Sequence, residues 1–154
     1  MYPAPLEEII ELFEFLPEDE RREALVSYAD GASRHGPVEG VEYDLVDVRK
    51  DEECTDTVGI HLNVSEEGKV SYKVALGDKV QTLTRAMTSI LCKGFEGATI
   101  NEILEVPADF VPRIVGGELV RLRSQTVYYV LTRMKGAATV YRNRKRTTDL
   151  EGGG

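Results

Sequence analysis

Alternating apolar and polar residues predict three β-strands in the first half of the chain. The clearest alternation covers residues 58–64, where every second side chain is apolar, as expected for a strand with one buried face. The same period returns over residues 70–76, and a less regular version covers residues 41–48. Turn-forming residues at 65–68 separate the two clearest strands. The pattern therefore predicts an antiparallel meander of three strands.

Apolar residues at helical spacing predict two helices before the strands. The first covers about residues 6–15, where leucine, isoleucine and phenylalanine recur every three to four positions. Pro17 opens the second, since proline is tolerated in the first turn of a helix. The acidic residues 18–20 follow it, where the helix dipole favours negative charge. Each helix is expected to bury one apolar stripe.

Capping signals mark two more helices after the strands. Asp78 and Gln81 have the spacing of a reciprocal N-cap pair, and the apolar helical face that follows ends at Gly94. Thr99 and Glu102 repeat this spacing before a short apolar stretch. Both signals predict that a helix begins immediately after the capping residue.

The rest of the chain predicts one long helix and a polar tail. Apolar residues at helical spacing cover about residues 123–141, whereas residues 143–154 are polar and then rich in glycine, as in a frayed end. Because a lone three-stranded sheet buries too little apolar surface, the helices are expected to cover one of its faces. We therefore predict a single α+β domain over residues 1–154, ordered over about residues 5–142.

Composition restricts the classes of function. A chain of 154 residues, 42% of them hydrophobic, is long enough for one core without disulfides. Its formal net charge of −8 argues against a nucleic-acid binder, because phosphate contacts require a basic face, and favours a protein partner. No apolar run approaches the ~20 residues of a membrane span. Two cysteines and no secretory-type N-terminus predict a soluble protein of the reducing cytoplasm.

Cys54 is the centre of the candidate chemistry. It lies among charged residues just before the clearest strand, which predicts an accessible thiol rather than a core residue. Its acidic neighbours Glu53 and Asp56 are expected to raise the pKa of the thiol, opposed by Arg49 and Lys50. Activation of the thiol is therefore expected to come from a partner.

The other residues with possible chemistry favour structural roles. Cys92 lies beside the apolar stripe of the third predicted helix and is expected to pack there. His61 lies on the polar side of the second predicted strand and should point away from the core. Together with Cys54 and His35, these residues lack the spacing of metal ligands, so no metal site is predicted. No catalytic triad or nucleotide-binding loop is recognisable.

A group of basic residues leaves two interpretations open. Arg121, Arg123 and Arg133 precede further arginines in the tail. They are either ordinary solvation of a helix or a docking edge for an acidic partner.

Three segments carry a resemblance to a known family. The segment Glu-Leu-Phe-Glu-Phe-Leu-Pro at residues 11–17 resembles the N-terminal helix of the SufE family of sulfur-acceptor proteins from iron-sulfur cluster assembly. Residues 48–62 resemble the part of that family in which a strand ends, a cysteine follows and a second strand begins. Residues 94–104 resemble its Gly-(Lys/Thr)-Thr-Pro-x-Glu-Ile-Leu segment. The likeness covers most of residues 6–141.

The resemblance implies a fold and a role for two residues. The fold is a curled antiparallel sheet with helices on one side, a two-layer sandwich shared with IscU-like scaffold proteins. Cys54 matches the cysteine that takes sulfane sulfur, as a persulfide, from a cysteine desulfurase; the pyridoxal phosphate belongs to that partner, and no cofactor is implied here. Arg123, followed by Ser124, matches an arginine that helps to position the cysteine segment. The chain departs from the family in having Glu53 instead of glycine before the cysteine and Gly59 instead of tryptophan after it.

Three hypotheses follow. In the first, the protein is a non-classical, sulfurtransferase-like carrier that stimulates a SufS-like desulfurase and delivers sulfur to a SufBCD-like scaffold, as a monomer or homodimer. In the second, it is a SufE-like interaction domain whose thiol is incidental. In the third, ranked last because such scaffolds need several cysteines, it binds a metal or a cluster.

Overall fold

A computed structural model describes residues 1–51 and 56–152, of which 50, 51 and 150–152 are described by their backbone alone. The strands are β1 (Leu45–Asp51), β2 (Asp56–Val64) and β3 (Val70–Leu76). The helices are α1 (Ala4–Phe15), α2 (Glu18–Asp30), α3 (Thr82–Gly94), α4 (Ile100–Glu105), α5 (Val111–Val115) and α6 (Gly117–Gly152). Short 3₁₀ turns lie at Ala32–His35 and Ala108–Phe110.

The three strands form the predicted antiparallel meander in the order β1-β2-β3. Ile60 and Leu62 of β2 and Tyr72 and Val74 of β3 are buried on one face of this sheet. His61 lies between two of them in sequence and therefore faces the other side, as predicted. The period-2 pattern thus identified β2 and β3 and their buried face.

Helices α3 and α6 pack against the sheet and complete the core. Met87 and Ile90 of α3 and Met134 of α6 are fully buried. The hydroxyl of Tyr72 donates a hydrogen bond of 2.6 Å to the carbonyl oxygen of Met134, joining β3 to α6. Each large side chain buried in this way contributes about 1.5–3 kcal/mol. The structure confirms an α+β fold with helices over one sheet face.

The first strand begins later than predicted, at Leu45 rather than at residue 41. The preceding backbone bonds to a side chain instead of to a strand. The Asn63 amide accepts from the Asp44 N–H at 2.7 Å and donates to the Glu42 carbonyl at 3.1 Å. The Asp44 carboxylate in turn accepts from the Val64 N–H at 2.8 Å. These side-chain contacts take the place of backbone pairing between strands at residues 42–44. The alternation of apolar and polar residues does not reveal such contacts.

One of the two predicted capping pairs is present. The Thr99 hydroxyl accepts from the Glu102 N–H at 3.2 Å, and the Glu102 carboxylate accepts from the Thr99 N–H at 3.1 Å. The Asp78–Gln81 pair was predicted wrongly: Gln81 itself is the N-cap residue of α3 and makes no side-chain cap bond. Its side-chain oxygen instead accepts a hydrogen bond from Arg123. The same spacing had two outcomes because α4 begins directly after Thr99, which places Glu102 in its first turn, whereas α3 begins only after Gln81.

The C-terminal helix is longer than predicted at both ends. The prediction was residues 123–141, whereas α6 covers Gly117–Gly152 with non-helical dihedral angles at Arg123 (φ −133°, ψ 36°). The predicted frayed tail is thus wrong for residues 143–152, which are helical. Many of these residues are good helix formers, and polarity by itself does not end a helix. The short helix α5 (Val111–Val115), which precedes α6, was not predicted.

Candidate functional site

The ends of β1 and β2 bracket the segment that contains Cys54. The last antiparallel pair between these strands is Asp51–Asp56. Cys54, with the predicted acidic neighbour Glu53, lies at 52–55 and so outside the described residues. Its accessibility and the direction of its pKa shift therefore stay predictions. The structure describes the residues to which this segment is attached: the ends of β1 and β2, and the turn at residues 77–81 that contacts the start of β2. We call these residues the frame.

The first part of the frame is the contact between Asp56 and the turn that leads from β3 to α3. The Asp56 carboxylate accepts from the Thr57 N–H at 2.7 Å and from the Lys79 N–H at 2.9 Å. The Thr57 carbonyl accepts from the Gly77 N–H at 2.9 Å. The start of β2 is thereby tied to residues 77–79, close to the point where the cysteine segment ends.

Arg85 fixes this turn from the first part of α3. Its guanidinium donates to the carbonyl oxygens of Gly77 at 2.8 Å, Val80 at 3.1 Å and Asp78 at 3.3 Å. Sequence reasoning missed Arg85, although a signal was available: a cation is unfavourable near a helix N-terminus, so an arginine there implies other partners. Here the partners are carbonyl groups of the preceding turn.

Gly77 allows the close approach of this turn to Asp56. A Cβ atom at position 77 would overlap Cγ and both carboxylate oxygens of Asp56. We expect Gly77→Ala to push the carboxylate away from the Lys79 N–H and to lower the free energy of unfolding by about 2 kcal/mol through the lost hydrogen bond and residual strain. Urea unfolding followed by circular dichroism measures this change.

A second substitution and a matched control test whether the clash with Asp56 causes the loss of stability in Gly77→Ala. Because Asp56→Ala removes the clashing atoms, the double variant should be no less stable than Asp56→Ala alone, a clear departure from additivity. Gly117→Ala is the matched control, since nothing lies within 4 Å of a Cβ atom there. Additive losses at Gly77 and Asp56 would show that the two residues are not in this contact.

Arg123 lies beside the same turn. Its guanidinium donates to the Gln81 side chain at 3.1 Å, and Gln81 is the residue immediately before α3. Arg123 also lines a cavity of about 580 Å³ whose apolar wall includes Leu25, Leu83 and Leu119. The structure thus brings Arg123 to the frame of the cysteine segment. Its relation to Cys54 itself remains a prediction.

The predicted basic cluster does not exist as one surface. Arg121 is exposed and lies 3.8 Å from Glu118, whereas the Arg133 side chain is only 4% exposed. The guanidinium of Arg133 donates to the carbonyl oxygens of Asp47 at 2.7 Å and Val58 at 3.0 Å. Neither solvation nor docking describes Arg133; it joins α6 to β1 and β2. A signal was available in the sequence, because Arg133 falls among Val130, Leu131 and Met134 of the apolar stripe of this helix.

Asp47 completes the surroundings of Arg133. Its carboxylate accepts two hydrogen bonds from Arg49, at 2.8 and 3.1 Å, and lies 3.4 Å from Nε of Arg133. The hydrogen bonds from Arg49, together with the charge of Arg133, lower the pKa of Asp47. Two arginines thus hold this carboxylate in its charged form beside the sheet.

Cys92 and His61 have the structural roles predicted for them. Cys92 is 2% exposed, and burial raises the pKa of its thiol to about 12. It is therefore a neutral, packed thiol at ordinary pH. His61 meets the ring of Tyr43 edge to face at 5.0 Å on the outer side of the sheet, and burial lowers its pKa. Neither residue is positioned as a catalytic base or nucleophile.

In residues 1–51 and 56–152 no group of three or more histidine, cysteine, aspartate or glutamate side chains could hold a metal ion. Within the same part of the chain, no helix combines the length and the apolar character that crossing a membrane requires.

The fold and the frame define a two-layer α+β protein whose cysteine segment joins the first two strands. The sequence model of the SufE family, described as an Fe-S metabolism associated domain, matches residues 7–138. The chain therefore belongs to the SufE family and is associated with iron-sulfur metabolism. The resemblance carried by residues 11–17, 48–62 and 94–104 is thereby confirmed.

Two solved structures are similar in fold to this chain. The solution structure of a hypothetical protein from Thermus thermophilus is similar with a TM-score of 0.67 and 26% identity, over 93% of this chain and 99% of that one. The N-terminal part of a nitrogen-fixing NifU-like protein from Brucella abortus is similar with a TM-score of 0.58 and 15% identity. The match covers 79% of this chain and 93% of that one. The second likeness shows the fold alone. No curated protein matches the chain.

Proposed function

We propose that this protein is a sulfur acceptor and carrier that takes persulfide sulfur onto Cys54 from a cysteine desulfurase and stimulates that enzyme. The observation that carries the proposal is the family match over residues 7–138, within which Cys54 lies between two strands with fixed ends. A thiol between fixed strand ends can reach into a partner while the sheet keeps its base in place.

The transfer step is an exchange between sulfur atoms. The Cys54 thiolate attacks the terminal sulfur of the persulfide on the desulfurase cysteine. A sulfur–sulfur bond forms at Cys54 as the one on the donor breaks, and the donor cysteine leaves as a thiolate. No external oxidant or reductant is needed, because the transferred sulfur keeps its oxidation state.

The chemistry of the two cysteines supports the assignment to Cys54. The thiolate is the attacking species, so a thiol with a pKa of about 12 is nearly inert at neutral pH. Cys92 is such a thiol, and its burial also denies access to a protein-sized donor. Of the two cysteines in the sequence, this leaves Cys54.

Arg123 is proposed as a positioning residue for the same step. Through Gln81 it contacts the turn that is tied to Asp56, the first residue of β2. The adjoining cavity of about 580 Å³, with an apolar wall and the basic residues Arg22 and Arg123, is suited to part of the desulfurase surface. We assign the partners as a SufS-like desulfurase and, for delivery, a SufBCD-like scaffold in the cytoplasm.

A mass measurement tests the proposal directly. The protein is incubated with a desulfurase and cysteine, its free thiols are blocked, and it is digested with trypsin. Cleavage after Lys50 and Lys69 separates Cys54 from Cys92, which lies between the cleavage sites at Arg85 and Lys93. We expect added sulfur on the peptide of residues 51–69 and none on that of residues 86–93.

Two outcomes would contradict the proposal. Equal labelling of both peptides would mean that sulfur adds non-specifically. Absence of sulfur from both, together with measurable binding to the desulfurase, would identify an interaction domain without sulfur transfer.

A further inference from the structure

A second cavity lies apart from the cysteine segment, between α1, α2, the 3₁₀ turn Ala32–His35 and α3. Its volume is about 380 Å³, and its lining includes Arg34, His35 and Lys93. In the part of the chain that the structure describes, no aspartate or glutamate lines it. Basic side chains therefore converge on this cavity in a protein with a net charge of −8.

The cations around this cavity have no acidic partners among the described residues. Arg34, Lys93 and the nearby Lys73 of β3 form no ion pair within 4.0 Å of a carboxylate there. The sequence has 27 acidic and 19 basic residues, so acidic partners are in excess. Cations without acidic partners that converge in such a protein mark a place where negative charge from outside would be favourable.

The surroundings of His35 show the same imbalance. The elements that pack against its turn are α2, α3 and β3. From these elements it is faced by Tyr28, Lys93 and Lys73, and from its own turn by Arg34. Burial lowers the pKa of His35, and the three cations lower it further. A bound anion would oppose the charges of the three cations and so raise the pKa of His35.

We propose that this cavity binds a small oxyanion of the phosphate class. Arg34 offers a planar fork of donors and Lys93 a mobile point charge, the two side-chain types that commonly hold phosphate groups. Protonated His35 supplies a third donor. The Lys93 Nζ lies 5.2 Å from the centre of the Tyr28 ring, which places the cation at the wall of the cavity. The volume falls within the ~300–1,000 Å³ range of small-molecule sites, so an organic group attached to the phosphate would fit.

The proposed anion site is separate from the frame of the cysteine segment. Gln81, which contacts Arg123, precedes the first turn of α3, whereas Lys93 is in its last turn. With a rise of 1.5 Å per residue, these positions are about 18 Å apart along the helix axis. Occupation of the cavity would therefore not cover the Gln81 end of α3. The proposal therefore does not depend on sulfur transfer.

Binding and protonation of His35 should be linked. An anion stabilises the protonated imidazole, so the pKa of His35 is expected to be higher in the complex than in the free protein. Affinity should accordingly be lowest above the pKa of the complex and should increase as the pH falls toward the pKa of the free protein.

Nuclear magnetic resonance of the histidine Cε1–H signals tests the proposal with an internal control. The chain has two histidines, and the lowered pKa of His61 is caused by burial, without a contribution from basic neighbours. Sulfate is the first probe, because it keeps its charge throughout the titration, and chloride at equal ionic strength is the reference. We expect sulfate to raise the pKa of His35 in a saturable manner and to leave that of His61 unchanged.

Charge-neutralising substitutions locate the site. Arg34→Gln with Lys93→Gln should weaken saturable binding about tenfold or more, as expected for the loss of charge-assisted hydrogen bonds. Lys69→Gln with Arg144→Gln removes the same two charges and is the control for overall charge, since neither of these exposed residues lines the cavity. The His61 signal reports in each variant whether the fold is intact. Equal shifts at both histidines, a response that does not saturate, or an unchanged response in the double variant would overturn the proposal.

Phosphate and adenosine monophosphate then distinguish two sources of the anion at a fixed pH below the pKa of free His35. Tighter binding of the ester supports an organic phosphate as the natural ligand, and tighter binding of inorganic phosphate supports the free ion. Failure of both to compete with sulfate would show that the sulfate is an adventitious ion only, and would overturn the proposal.

Discussion

Replacing Cys54 with serine is expected to abolish both the sulfur adduct and the stimulation of the partner desulfurase. A serine hydroxyl stays protonated at neutral pH and does not exchange with a persulfide, so the donor cysteine would keep its sulfur. The measurement is the rate at which a SufS-like desulfurase releases alanine from saturating cysteine. With wild-type protein the rate should rise with added protein; with Cys54→Ser it should remain at the rate of the desulfurase alone.

Cys92→Ala is the matched control for loss of a thiol. Because Cys92 is 2% exposed, its truncation should cost about 1–2 kcal/mol of stability through the cavity left behind, yet leave stimulation intact. Stimulation that survives in Cys54→Ser would contradict the carrier role and favour an interaction domain. Stimulation lost equally in both variants would point to damage of the fold, which circular dichroism would detect.

The sheet could be predicted from sequence because its information is local. Residues on β2 and β3 alternate between a buried and a solvated side, so period 2 appears directly in the order of amino acids. The bounds predicted for β3, residues 70–76, are those observed. The predicted start of β1 was wrong because the side chain of Asn63, on β2, forms hydrogen bonds with the backbone of residues 42 and 44.

The contacts that hold the site could not be read from sequence because they join side chains to distant backbone. Arg85 and Arg133 bond to carbonyl groups, and every residue offers the same carbonyl whatever its side chain. Pattern analysis therefore treated Arg133 as a surface cation, although it is almost fully buried. Polar residues within an apolar helix face, here Thr126 and Arg133, are a sign of such partners, without saying which ones.

The two cysteines show what sequence could decide about the candidate site. Cys92 was predicted to pack because it adjoins an apolar helical stripe, and its burial confirms this. Cys54 was singled out by charged neighbours, and its chemistry stays a prediction. For Arg123 the family resemblance gave the position, whereas its contact with Gln81 depends on the close approach of α6 and α3, which no local pattern contains.

Replacing Arg133 with methionine is expected to lower the free energy of unfolding by about 3 kcal/mol, the lower end of the range for breaking a buried charged contact. Methionine fills much of the volume but leaves the Asp47 and Val58 carbonyl groups without the guanidinium hydrogen bonds of 2.7 and 3.0 Å. The loss stays near the lower end because Asp47 is partly exposed and keeps its hydrogen bonds to Arg49. Urea unfolding at neutral pH measures the difference.

The pH dependence and a surface control separate this account from general damage to the helix. The pKa of Asp47 is lowered in the fold, so its contribution is present above its unfolded pKa and is lost as the pH falls through the folded value. The urea midpoints of the wild-type and Arg133→Met proteins should therefore approach each other as the pH falls. The difference should shrink by the part of the stability that the Asp47 carboxylate contributes through Arg133. Arg121→Met, at an exposed position of the same helix, should change stability by less than about 0.5 kcal/mol. A similarly small loss at Arg133 would mean that packing alone, without the two carbonyl contacts, holds α6 against β1 and β2.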